Sequence, residues 1–419
     1  MKLLRLLSIL LFSMVLNAQD DLFEPGYLFG GSADADIRDL NTDGDNDTET
    51  NEEIDSAQTV KIEYSIDIVT ESMTNITGGL KQGTVFNGLV QTGMDISLGT
   101  SLIRGNILLL SGENPSEYIG DGFGASNLYG YNSLRLYEIW FEQRFLKNKC
   151  SIRIGSLLAD TEFSVNDLGG LFFNSAFGWP AYISGNTLNT GPAFFVTAPG
   201  IRIRYRTDNH STWQAGIYDG DPFDHLEGNG KTTAHGIHWE LSNDQGIFSI
   251  GEYGKALGNN DAGNVKIGFW NYSNWGMDEN NSTSGVYFSS QLLWSLLQNQ
   301  KEIGVFLRGG ISTSGNTHLY YKMAVDGGIQ LINPFPWLNN DIIGVGLAYA
   351  NIADGQLHYL TENNKYIFMD YEMAIEASLQ FKLFPWLFVQ PDFQMIFHPG
   401  GSSFVENSTV MSIRFIISI

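Results

Sequence analysis

From about Lys61 to the end of the chain, apolar and polar side chains alternate at period two in one segment after another. The alternation is strict in Ile201-Arg202-Ile203-Arg204-Tyr205. It recurs in Ile237-His238-Trp239-Glu240-Leu241, in Val265-Lys266-Ile267-Gly268-Phe269 and in Tyr371-Glu372-Met373-Ala374-Ile375-Glu376. Leu387 to Phe397 and Met411 to Ile419 repeat it. Successive side chains of a strand point to opposite faces, so each segment reads as a strand with one apolar and one polar face. One such strand is ordinary in a soluble sheet, but about a dozen of about ten residues each fit a transmembrane barrel. After the N-terminal segment no apolar run approaches the length of a membrane helix. A closed barrel is the other structure whose backbone is satisfied in lipid.

Composition points the same way. Only 16% of the 419 residues are charged, against about 25% in a typical soluble domain. The net charge of -23 disfavours binding to a phosphate backbone, which needs a basic face, so nucleic acid is not an expected partner. A lone cysteine, Cys150, excludes an internal disulfide framework.

The chain divides into three parts. Residues 1–18 read as a secretory signal peptide, with Lys2 and Arg5 at the charged start, Leu6 to Leu16 as the apolar centre and Leu16-Asn17-Ala18 at the cleavage site. Residues 19–60 read as an acidic leader, in which Asp34 to Asp55 carries ten acidic residues against Arg38 alone. Asp39, Asn41, Asp43, Gly44 and Asp47 have the spacing of a calcium loop, but Thr50 stands where a bidentate Glu belongs. A solvated linker is the preferred reading. Residues 61–419 are expected to form the barrel, all-β, antiparallel and up-and-down. Roughly 360 residues at about 22 per strand with its loop predict about sixteen strands.

Turn chemistry supports this. Lys147-Asn148-Lys149, Asp208-Asn209-His210 and Asn243-Asp244-Gln245-Gly246 read as tight hairpin turns. Longer Gly- and aromatic-rich connections, Ser111 to Asn132 and Asp160 to Gly200, alternate with them. Short turns at one end and long loops at the other is the outer-membrane arrangement. Phe-Pro-Trp occurs at 335–337 and again at 384–386, where the aromatics are candidates for the membrane–water girdle.

If the apolar parity faces lipid, the other parity faces the lumen. That rule selects Glu138, Trp140, Glu142, Arg153, Arg202, Arg204, His238, Glu240 and Lys266. It also selects Trp270, Arg308, Asp326, Glu372, Glu376, Gln390, Asp392, Gln394 and Arg414. A charge facing lipid at mid-depth costs about 2–4 kcal/mol, which argues that this parity is selected. Two readings of these groups stand side by side. They bond and stack on a neutral, hydroxyl-rich solute, or they pair with one another across the wall.

Catalytic and metal motifs are missing from the sequence: there is no Gly-x-Ser-x-Gly, no His-Glu-x-x-His and no P-loop. No cofactor or metal is expected. His398, before Pro399-Gly400-Gly401, and Asp219-Gly220-Asp221-Pro222 read as turns. A barrel hydrolase with its Ser, His and carboxylate on separate strands needs no local motif, and nothing positive supports one.

An ordered series of stretches from about Gly79 to the C-terminus resembles the carbohydrate-selective porins of the OprB type. It begins with Gly83-Thr84-Val85-Phe86-Asn87-Gly88, Leu136 to Gln143 and Gly170 to Pro180. Ala198 to Tyr205 and Gln214 to Pro222 follow. It ends with Val325 to Gly328, Gly344 to Ala350, Pro385 to Asp392 and His398 to Gly401. The resemblance implies a sixteen-stranded barrel in a Gram-negative outer membrane, passing mono- or small oligosaccharides passively. It also implies a narrow channel with charged and aromatic groups at a constriction formed by loops folded inward. The two long loops are the candidates here, and Arg202, Arg204, Glu138, Trp140 and Glu142 lie in matching stretches. Expected partners are sugar solutes, outer-membrane lipid and the barrel-assembly machinery. A homo-oligomer is compatible with the pattern, which does not separate a subunit interface from lipid contact. The acidic leader and the non-aromatic terminal Ile419 depart from the family pattern. A general or anion-biased porin is the alternative within the channel class, and a soluble β-rich sugar-binding protein is a further one. The apolar outer parity argues against the soluble form.

Overall fold

The computed structural model describes residues 60–223, 235–241, 245–258, 262–273, 282–296, 301–313, 319–354 and 370–418. The expected signal peptide, the acidic leader up to residue 59 and Ile419 lie outside the described residues. The first eight strands are β1 (Val60–Gly79), β2 (Gly83–Leu98), β3 (Ser101–Gly112), β4 (Ser133–Phe145), β5 (Cys150–Leu157), β6 (Ala198–Arg206), β7 (Ser211–Asp219) and β8 (Ile247–Leu257). The remainder are β9 (Gly263–Ser273), β10 (Thr283–Leu296), β11 (Lys301–Ser312), β12 (Tyr321–Ile332), β13 (Asn339–Ile352), β14 (Tyr371–Phe384), β15 (Leu387–Phe397) and β16 (Glu406–Ser418). Each pairs antiparallel with its sequence neighbours, and β1 pairs with β16, so the sheet closes.

The residue pattern accounts for the faces. On β9, Val265, Ile267 and Phe269 point outward, Ile267 with 57% of its surface free, while Trp270 is buried inside. On β6, Ile201, Ile203 and Tyr205 are outside, and Arg202 and Arg204 are inside. An apolar outer face costs nothing in lipid, whereas a charge there does. No helix among the described residues is long and apolar enough to cross a membrane.

The two ends differ. At one end the connections 99–100, 146–149, 207–210, 258–262, 297–300, 333–338 and 385–386 are two to six residues long. Gly99, at φ +61°, opens the two-residue turn in the left-handed region that tight hairpins need. Both Phe-Pro-Trp motifs sit in turns at this end, with Trp337 and Trp386 exposed. At the other end lie the connections 113–132, 158–197 and 220–246 among others. The 113–132 and 158–197 loops turn into the barrel, so the hydrophobic core sits inside the lumen. It is built from loop residues such as Phe163, Phe172, Phe177 and Tyr182, packed on inward wall residues such as Trp270, Tyr287 and Phe306.

Two expectations are corrected. Ile237 to Leu241 forms no strand, and Asn243 to Gly246 closes the long 220–246 connection rather than a tight turn; residues 242–244 lie outside the described residues. Alternation encodes which face a side chain takes but not whether a neighbouring backbone is there to pair with. Here one backbone bond, Leu136 N–H to the His235 carbonyl at 3.0 Å, ties the segment to β4 above the point where β5 ends. A second departure is a bulge on β4. Ile107 faces Leu136 and Asn106 faces Glu138, so Tyr137 is the extra residue and also turns inward.

Leu347 lies mid-strand on β13 and faces outward. Leu347→Arg is expected to destabilise the barrel by about 2–4 kcal/mol in urea unfolding from lipid vesicles, the cost of a charge on the lipid face at mid-depth.

Candidate functional site

The inward polar face is an anchoring surface for the two loops. Arg308 on β11 pairs with Asp326 on β12 at 3.0 Å. Its other nitrogens donate to the carbonyls of Ser164, Gly178 and Ala176 at 2.7–2.9 Å, all in the 158–197 loop. Glu376 on β14 accepts the N–H groups of Phe173 and of Asn174, the latter at 3.0 Å. Gln390 and Gln394 on β15 donate to the carbonyls of Leu171 and Ala125 at 2.5 and 2.9 Å. Lys266 on β9 reaches the Val165 carbonyl at 3.0 Å. Glu372 on β14 receives N–H groups from Gly122, Phe123 and Gly400 at 2.9–3.2 Å, tying the 113–132 loop to the 398–405 turn. At the closing seam Arg414 on β16 pairs with Glu71 on β1 at 3.0 Å, bonds Asn127 and stacks 3.8 Å over the Phe173 ring. Glycines on the wall let the loop rings come close. A Cβ at Gly310 would stand 2.7 Å from Tyr182, and one at Gly346 would stand 2.8 Å from Phe177.

A dense ion network lies on β4–β6. Glu142 accepts from Arg144, Arg153 and Arg202 at 2.7–3.0 Å. Glu162 in the 158–197 loop accepts from Arg153, Arg202 and Arg204 at 2.5–3.0 Å. Arg204 also bonds Gln214 on β7 at 2.9 Å, and Gln214 bonds Glu252 on β8 at 2.9 Å. Burial opposes the Glu162 charge, yet the three guanidinium groups win and hold its carboxyl below the usual range. Trp140 is covered by the Arg153 guanidinium, 3.8 Å from its ring.

Between the loops and β4 remains a cavity of about 270 Å³. Tyr129, Tyr137, Trp179, Phe194 and Phe195 supply rings, and Gln91, Asn127, Glu138, Asp160 and Thr161 supply polar groups. Glu138 is held by Asn106 at 3.0 Å and by the Trp140 indole N–H at 3.1 Å. Asp160, in the loop, accepts the Phe194 N–H at 2.7 Å through one oxygen, while the other has no partner. Desolvation pushes the Asp160 carboxyl up to about 7; the Phe194 bond pulls it down and Glu138 pushes it up.

Of the eighteen residues selected by parity, sixteen face the interior, Trp270 and Asp392 among them. His238 and Glu240 do not: both are exposed on the 235–241 segment, outside any strand. Of the five favoured for a constriction, only Glu138 lines the cavity. Arg202 and Glu142 are buried in an ion pair with each other and Arg204 is buried against Glu162, so pairing within the protein is the reading they follow. Glu162 and Asp160 were invisible to period two because they sit in an irregular loop. Glu71 and Gln214 obey the same parity as the selected residues and could have been found by it; Glu252 follows Gly251 and lies two residues before Gly254, and these glycines blur the alternation of β8. Among the described residues no three His, Cys, Asp or Glu side chains converge as a metal centre.

A family model described as carbohydrate-selective porin, OprB family, matches residues 102–418. The high-pH structure of Pseudomonas putida OprB superposes with a TM-score of 0.73 at 18% identity, covering 85% of this chain and 94% of that one. Its low-pH structure gives 0.54 at 14% identity, over 85% and 92%. The outer-membrane channel DcaP of Acinetobacter baumannii gives 0.50 at 11% identity, over 86% and 97%. No curated protein matches the sequence.

Two outcomes test this site. Glu162→Gln leaves three arginines sharing Glu142, and breaking a buried pair costs about 3–5 kcal/mol. Single-channel recordings are expected to show a larger conductance and noisier open state as the loop loosens. Above about pH 7 Asp160 is ionised and below it is neutral, so cation preference measured by reversal potential is expected to fall as pH drops from 8 to 5.5. Asp160→Asn removes that step.

Proposed function

The chain belongs to the OprB family of carbohydrate-selective porins, channels of the Gram-negative outer membrane, and from that premise we propose how it selects its solutes. It passes mono- and small oligosaccharides down their gradient through the gap between its two inward loops. The observation that carries this is the cavity itself: aromatic rings on one hand, and carboxylate, amide and hydroxyl groups on the other, with no cation among the described residues that line it. A sugar has apolar C–H faces that pack on rings. Its hydroxyls exchange water for charge-assisted bonds to Glu138 and Asp160. Neither term is large, which suits passage, because binding must be weak enough for the solute to leave.

The remaining inward residues act on selectivity indirectly, by holding the loops that set the width. Arg153, Arg202, Arg204, Arg308 and Arg414 each have carboxylate partners, so they give little support to an anion-biased channel. A general diffusion porin is the competing reading, and it predicts that solutes of one size permeate alike.

Liposomes holding the refolded mature chain decide between them. Radiolabelled glucose-sized sugars are expected to be taken up well ahead of amino acids of similar size, with sucrose as the larger comparison. Glu138→Gln together with Trp179→Ala is expected to erase the sugar advantage while leaving small-ion conductance. Equal uptake of all small solutes by the unaltered protein would leave a general porin.

A further inference from the structure

Charge is distributed unevenly around the short-turn mouth. On the short-turn ends of β4–β6 and in their turns, Arg144, Lys147, Lys149, Arg153, Arg202, Arg204 and Arg206 stand against Glu142, Asp208 and Glu162, the last reaching them from the 158–197 loop. Seven cations less three carboxylates leaves +4. Lys147 is exposed on the 146–149 turn, and the Lys149 side chain is 39% exposed beside Asp208. Across the barrel, the same end of β11–β14 carries Lys301 and Lys382 against Glu302 and Asp341, which sums to zero.

The chain enters β1 at this same mouth, because Val60 lies at the short-turn end. Immediately before it, Asp34 to Asp55 holds ten acidic residues and one Arg, a net of -9. We propose that this acidic leader docks on the basic β4–β6 sector of the short-turn mouth. Reach permits it. The twelve Cα steps from Thr48 to Val60 extend to about 40 Å, and sixteen strands at about 4.8 Å spacing and about 40° tilt enclose a mouth about 30 Å across. The tether raises the local concentration of acidic groups to the millimolar range, so weak attractions suffice. Attraction acts over about 10 Å at 0.1 M salt and only about 3 Å at 1 M. Docked there, the leader places its negative charge where the wall has an excess of positive charge, which neither the calcium-loop nor the free-linker reading of that segment provides.

The barrel supplies its own control. Counting strands from β1, the β6–β7 turn lies between the fifth and sixth strands in one direction, and the β12–β13 turn between the fourth and fifth in the other. A tether without docking therefore favours the β12–β13 turn slightly. In the full-length mature chain carrying Cys150→Ser, Thr48→Cys is combined with Asn209→Cys or with Pro336→Cys, and crosslinking by a bis-maleimide is timed in vesicles. Both partner positions are exposed turn residues, and heat-modifiable migration confirms a folded barrel in each variant. Docking predicts that the Asn209→Cys pair reacts about fivefold faster at 0.1 M NaCl, the sum of a few exposed ion pairs. That preference disappears at 1 M NaCl, and also with Lys147→Glu and Lys149→Glu. Equal rates, a faster Pro336→Cys pair, or a preference that survives both high salt and charge reversal would each overturn the proposal. Equal rates would leave the basic sector to another occupant, such as an anionic lipid headgroup.

Discussion

Inside a bilayer no water is present to satisfy the edge of a sheet, and every other feature of this molecule follows from that. A strand edge left open in hydrocarbon costs several kcal/mol for each unpaired group. The β1–β16 pairing removes the edge. Closure then forces each strand to present one face to lipid and one to the interior, and the period-two sequence is the consequence.

Closing sixteen strands creates a second problem, since the resulting lumen is too wide for its wall side chains to fill. Two loops solve it by folding inward, and they need partners for their own backbone groups, which are cut off from bulk water. The wall provides them. Arg308, Glu376, Gln390, Gln394 and Glu372 bond the loop backbone rather than a solute. Desolvating these groups is expensive, so they are buried with partners and not singly. The same logic places Glu162 among three arginines.

What is left for the solute is the small set of groups that the anchoring does not consume. Glu138 and Asp160 retain acceptor capacity toward the cavity, and aromatic rings cover much of the remaining lining. On the proposed reading, buried ion pairs hold the gap at its width, and a few remaining acceptors and ring faces meet what passes through.

The sequence by itself determined the class of fold, the approximate number of strands and the side of the wall on which most charged residues sit. It could do so because strand faces follow from a local, two-residue period. Lumen residues such as Arg308 and Gln394 were legible for that reason. It could not show what those residues touch, since Arg308 meets Ser164 across 144 positions and Gln394 meets Ala125 across 269. Nor could it show that Arg202 and Arg204 are paired with a loop carboxylate, because Glu162 lies in a loop without periodicity. The same limit explains His238 and Glu240, whose alternation is real but whose segment meets β4 through one backbone bond and forms no strand. Faces are encoded locally, whereas pairing and enclosure arise only when distant parts of the chain meet.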